Sequence, residues 1–155
     1  MSFQVRALPA REFESLFGQS EAALRQAGVV VQMADAKPGF PCRVSLRDAE
    51  PGERVLLLNY EHQKAATPYR SAHAIYVIDG AEEAKPEAGD VPEELASRLL
   101  SVRAFSEDGM ILGAEVVEGR QAAPLFERML ADPRVGYLHV HYAKYGCYAA
   151  RVERA

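Results

Sequence analysis

Cysteine is scarce in this sequence: Cys42 and Cys147 are the two that 155 residues contain. They are too few for a disulfide framework, they stand too far apart for a CxxC redox pair, and a reducing compartment keeps them as thiols. A basic excess is also missing. Lys+Arg total 18 against 22 for Asp+Glu, a formal net charge of −4. A general nucleic-acid binder needs the opposite sign to neutralise phosphates, so no nucleic-acid partner is expected. Long apolar runs are absent: "VLLL" (Val55–Leu58) falls far short of the roughly 20 residues of a membrane helix, so no membrane partner is expected. The start, "MSFQVRALPAREF", lacks the basic segment and apolar core of a secretory signal, and a cytoplasmic location is the expectation. Lysine is confined to Lys37, Lys64, Lys85 and Lys144. The basic side chains are therefore mostly arginine, which can fork onto a carboxylate or phosphate as lysine cannot. There is no G-x-G-x-x-G, P-loop, HExxH, EF-hand loop, or kinase or hydrolase pattern, so no nucleotide is expected on a common phosphate loop.

What is present fits one domain, residues 1–155, with an ordinary core: 48% of residues are hydrophobic, and no repeat or boundary interrupts the chain. "FQVRAL" (Phe3–Leu8) reads as a strand. "PAREFESLFG" reads as a helix between Pro9 and Gly18, and "SEAALRQAG" as another between the N-cap candidate Ser20 and the stop Gly28. Val29–Asp35 and "VSL" (Val44–Leu46) read as strands, as do "RVLLLNYEH" (Arg54–His62) and "HAIYVI" (His73–Ile78). If the last two pair as a hairpin, His62 and His73 flank its loop. "DVPEELASRLL" reads as a short helix with Asp90 near the cap, after an acidic stretch with little order. A hairpin turns at "SEDG", and "AAPLFERMLADP" is a helix with Leu125, Phe126, Met129 and Leu130 on one face. "VGYLHVHYA" and "CYAARVE" close the chain as strands. The expected class is α+β: a mainly antiparallel or mixed sheet with three to four short helices.

Candidate chemistry gathers in three stretches. In "GYLHVHYAKYGC" alternation puts Tyr137, His139 and His141 on one strand face, with Leu138, Val140 and Tyr142 on the other. Two imidazoles about 6–7 Å apart along a strand can converge on one ion. His139 and His141 are therefore candidate transition-metal ligands, or general acid–base groups near neutral pH; otherwise they line a half-exposed strand face. In "LLLNYEHQ" an apolar run ends in Asn59, Tyr60, Glu61, His62 and Gln63, and "PYRSAH" adds Arg70, Ser71 and His73. Arg70 suits an anion, with a salt bridge to Glu61 as the plainer alternative. In "PGFPCR" the cation of Arg43 would favour the thiolate of Cys42, which could serve as nucleophile or ligand if exposed.

"KPGFPCRVSLRDAEPGERVLLLNYEHQ", "PYRSAHAIYV" and "GYLHVHYAKYGCYAARV" together resemble a bacterial family known as domain of unknown function 1203, over about Phe3 to Val152. The resemblance implies a small, soluble, single-domain protein and assigns no catalytic residue. Two readings stand. In the first, the three stretches build one site for a small anionic molecule. There Arg43, Arg70, Ser71, Asn59 and Glu61 bind, and His62, His73, His139, His141 and Cys42 supply the chemistry. In the second, the polar clusters are internal hydrogen-bond networks of a non-catalytic structural or protein-interaction module, working through a partner surface or as a homodimer.

Overall fold

A computed structural model of the chain describes residues 2–155. The class is α+β, with eight strands in antiparallel sheets and three short α-helices among these residues. Contacts divide the chain into two compact units. The first holds the start of the chain to Arg6, Glu61–His73 and Lys85–Ala155, and the second holds Ala7–Tyr60 and Ala74–Ala84.

The first unit is built on a five-stranded sheet. Its strands are β1 (Phe3–Arg6), β5 (Leu99–Phe105), β6 (Ile111–Glu118), β7 (Tyr137–Tyr142) and β8 (Tyr148–Arg154), in the order β1-β8-β7-β5-β6. β7 lies at the centre, and every residue in it is buried. Cross-strand partners share a face, and the register places Val5 opposite Val152, Val152 opposite Leu138, and Leu138 opposite Ala104. This apolar face packs on α3 (Ala122–Leu130), with Phe3 meeting Phe126 edge to face at 5.2 Å. Burying such a side chain contributes about 1.5–3 kcal/mol. The apolar stripe of α3 is Ala122, Leu125, Phe126 and Leu130, while Met129 is half-buried. A cation distant in sequence takes its last carbonyl: Arg154 donates to the carbonyl oxygen of Leu130 (2.7 Å) and to that of Asp132 just beyond the helix (3.0 Å). The hairpin at "SEDG" forms between β5 and β6 as expected. The short helix α2 is Glu93–Ala96, with Pro92 rather than Asp90 at its N-cap and no side-chain cap.

The second unit carries α1 (Glu21–Gln26), β2 (Val30–Met33) and most of β3 (Arg54–Gln63) and β4 (Ser71–Ile78). These three strands form a sheet in the order β2-β3-β4. Ser20 caps α1, its hydroxyl accepting from the Ala23 N–H at 3.1 Å, and Gly28 leaves the helix at φ +80°, the conformation glycine takes most readily. Leu24, Val29 and Leu56 form a buried cluster. Two expectations are corrected. Pro9–Gly18 is not one helix but two 3₁₀ turns, Ala10–Glu12 and Glu14–Leu16. They are divided at the buried Phe13, whose ring meets Tyr60 at 5.7 Å. Val44–Leu46 is a tight turn rather than a strand: the Leu46 N–H donates to the Cys42 carbonyl at 3.1 Å, and Leu46 has φ +51°, which extended backbone cannot have.

Candidate functional site

The face of the five-stranded sheet opposite α3 is polar at its centre. His139 stands between Arg103 on β5 and Arg151 on β8, and His141 between Ser101 on β5 and Tyr148 on β8. A register shift between Val140 and His141 lies at this point; such bulges re-aim side chains and recur beside sites. The segment Glu61–His73 belongs to the same unit and brings His62 and His73 to this face. The His62 ring lies 5.0 Å from His141, 5.8 Å from His139 and 5.0 Å from Tyr148, nearly parallel to the last. His73 lies 5.3 Å from His141. All four histidines of the chain therefore meet in one cluster.

His62 Nε2 and His73 Nδ1 are 2.8 Å apart and share a proton-mediated bond. His141 Nδ1 lies 2.9 Å from the Gly146 carbonyl oxygen. A carbonyl only accepts, so this nitrogen carries the proton, and Nε2 of the neutral ring is a bare acceptor. Arg103 Nη1 approaches that acceptor at 3.4 Å, a long contact. The Nδ1 atoms of His62 and His139 are buried and have no hydrogen-bond partner. Gln63 donates to the Tyr137 hydroxyl at 2.9 Å, and Arg151 lies 4.1 Å over the Tyr137 ring while pairing with Glu153.

Burial keeps the rings of His62, His139 and His141 neutral. Burial, then the nearby His62, His141, Arg151 and Arg103, holds His139 down to about 3. Burial likewise takes His141 to about 3, against the bond to Gly146, with Arg103 pushing the same way as burial. Burial, His73 and Arg103 bring His62 to about 4. A base held this far below neutral pH is a weak proton acceptor, because general bases work best near the operating pH. The rings offer lone pairs instead. His62, His139 and His141 each bring one ligand nitrogen to within 4.8 Å of the others, so these three could hold a metal ion.

Arg103 is the second unusual feature. It is half-buried, its Nε donates to Ser101 Oγ at 3.3 Å, and burial lowers its pKa from the usual arginine value. Among the described residues no carboxylate pairs with it, whereas Arg70, Arg120, Arg128, Arg134 and Arg151 each hold one.

The remaining sequence candidates have other partners or belong to the second unit. Arg70 is exposed and takes up Glu61 through Nε at 3.1 Å, the plainer of its two alternatives. Ser71 donates its hydroxyl to the Tyr69 carbonyl at 2.9 Å. Asn59, Cys42 and Arg43 belong to the second unit. Asn59 is exposed. Cys42 is 0% exposed, so the exposure on which its role as nucleophile or ligand depended is not met: its sulfur accepts from the N–H groups of Ile78 (3.2 Å) and Ser45 (3.4 Å). Arg43 is 1% exposed and donates to the carbonyl oxygen of Pro41 in its own loop at 2.5 Å. Neither cysteine is in a disulfide. The alternative of a plain half-exposed His-x-His face does not hold, since His139 and His141 are 3% and 1% exposed. Sequence reasoning missed Arg103, Ser101 and Tyr148. Alternation in "LSVRAF" could have found the first two, because Ser101 and Arg103 share a face as His139 and His141 do.

Fold and site together define an antiparallel α+β domain with a buried histidine cluster and an uncompensated arginine on one sheet face. The chain belongs to the family described as "Protein of unknown function (DUF1203)", whose model matches residues 39–154. No curated protein and no solved structure matches it. No helix among the described residues is long and apolar enough to cross a membrane.

Proposed function

We propose that the chain binds a small anionic molecule on the histidine face of the five-stranded sheet, as a ligand-binding or enzymatic domain. The observation that carries this reading is Arg103. Removing a guanidinium from water is costly, and a partner carboxylate normally offsets that cost. Here the cation has one hydroxyl and one imidazole nitrogen beside it. An anionic oxygen would supply the missing charge and accept the fork of donors. Tyr137, Tyr148, Phe105 and the imidazole rings surround the polar centre with flat apolar surfaces, in keeping with a small-molecule site in which few polar groups set orientation.

The expected result is that the protein as purified binds acetate or inorganic phosphate at one site in isothermal titration calorimetry. Arg103→Met weakens binding at least tenfold, about 1.4 kcal/mol. Arg70→Met, which removes a cation already paired with Glu61, leaves the affinity unchanged. Equal affinity in wild type and Arg103→Met would remove the basis of the reading.

A further inference from the structure

His62, His139 and His141 converge from two elements: the central strand β7 and the end of β3. We propose that their ring nitrogens bind a divalent transition metal of the zinc type, and that this ion, with Arg103, holds the anion. The last clause rests on the function proposed above; the metal centre itself rests on geometry alone.

Each ring has a nitrogen without a satisfactory partner. His141 Nδ1 is fixed by the Gly146 carbonyl, so its Nε2 points its lone pair into the cluster. His62 Nε2 meets His73 Nδ1, and when the proton lies on His62 the Nδ1 of that ring is a free lone pair. His139 Nδ1 is buried with nothing to bond. An unsatisfied buried polar group costs about 1–3 kcal/mol, and two of them, on β3 and β7, belong to this cluster. One ion would satisfy all three at once. His73 and the Gly146 carbonyl then act as the outer partners that fix ring orientation and tautomer, as metal-bound histidines commonly require.

The donor set decides the kind of metal. Three imidazoles, with no carboxylate or thiolate among them, suit zinc and its neighbours rather than magnesium or calcium, which take oxygen. Tetrahedral bonds of about 2.0–2.1 Å place ligand nitrogens roughly 3.3 Å apart. The three nitrogens start within 4.8 Å of one another, so small side-chain rotations close the set. Three protein ligands leave a fourth position open, the pattern of catalytic rather than structural zinc. Three neutral imidazoles also leave the full double charge on the ion, and Arg103 adds another positive charge nearby. An anionic oxygen in the open position is what balances them.

Titrating chelator-treated protein with zinc and cobalt(II) tests this, by calorimetry and by visible ligand-field absorption. One ion per chain is expected, with His139→Gln and His141→Gln binding at least a hundredfold more weakly. His73→Gln, which removes only an outer partner, weakens binding ten- to a hundredfold. Acetate should shift the cobalt spectrum in wild type but not in Arg103→Met. Should the glutamine variants fail to fold, wild type alone decides: its melting temperature must rise with zinc and level off at one equivalent. No bound ion, or an affinity unchanged in both glutamine variants, overturns the centre. Anion binding by a protein that takes up no metal overturns the centre and leaves the anion reading standing. Metal uptake without anion binding supports the centre and removes that reading.

Discussion

Lowering the pH of metal-free protein from 7 to 5 is expected to cost about 4 kcal/mol of stability through His139 and His141 alone. Both sit near 3 in the folded chain because burial disfavours the charged ring, against 6.5 for an exposed histidine. The unfolded chain therefore binds protons that the folded chain refuses. Stability rises with pH wherever the unfolded state binds more protons. The contribution is complete above pH 6.5 and is lost as the pH falls toward 3. Each such ring costs about 1.4 kcal/mol for every pH unit below 6.5, or roughly 2 kcal/mol at pH 5. His62, held near 4 but half-exposed, adds a smaller share in the same direction. Carboxylates do not confuse this window. Glu53, held to about 2 by Arg47 and the Glu50 N–H, and Asp132, held to about 2 by Arg134, lose their contributions only below about pH 4.5. Urea midpoints at the two pH values, with a chelator present, measure the effect. Coincident midpoints would mean that the rings of His139 and His141 are wet and easily protonated. A loss of this size is a large part of a typical 5–15 kcal/mol stability.

The same cluster shows what was and was not legible in the sequence. Local signals were read well where one short-range rule decides: the Ser20 cap, the "SEDG" hairpin and the apolar stripe of α3 all form. Alternation correctly separated His139 and His141 from Leu138, Val140 and Tyr142. The hairpin flanked by His62 and His73 could be placed because the two strands are adjacent in sequence. What alternation cannot supply is depth. Period two says which residues share a face, not whether that face is covered, and here the covering segment comes from Glu61–His73, more than sixty residues earlier. Arg103 was missed for a related reason. Its partners across the sheet, His139 and Ala114, are set by strand order, and an arginine in a strand draws no notice until its lack of a carboxylate can be seen. Cys42 drew notice because it is rare, and rarity is no guide to exposure; cysteine is among the most often buried residue types.

Neighbouring histidines on one face should respond in opposite ways to the same substitution. In metal-free protein, His139→Leu is expected to be more stable than wild type by about 1 kcal/mol, and His141→Leu less stable by about 2 kcal/mol. The ring of His139 carries a buried nitrogen with no partner, so an apolar side chain of similar size relieves a desolvation cost of about 1–3 kcal/mol. Against this stand its edge contacts with Tyr148 and Phe105, which contribute about 0.5–1.5 kcal/mol where such pairs have been dissected. His141 has no such surplus. Its Nδ1–H is bound to the Gly146 carbonyl in the turn from β7 to β8, and its other nitrogen faces Arg103, so leucine strands an acceptor and removes a neighbour from a half-buried cation. Denaturant unfolding of both variants at pH 7 reads the difference, and repeating it at pH 5 links it to acid sensitivity. His139→Leu should lose roughly half of the effect attributed to the two buried rings, because it removes one of them. If both variants instead lose several kcal/mol, the histidines are part of the packed framework and the unpartnered nitrogens are incidental. If His139→Leu is stabilised while zinc uptake is abolished, His139 is kept at a cost to stability for the ligand it holds, as functional sites often are.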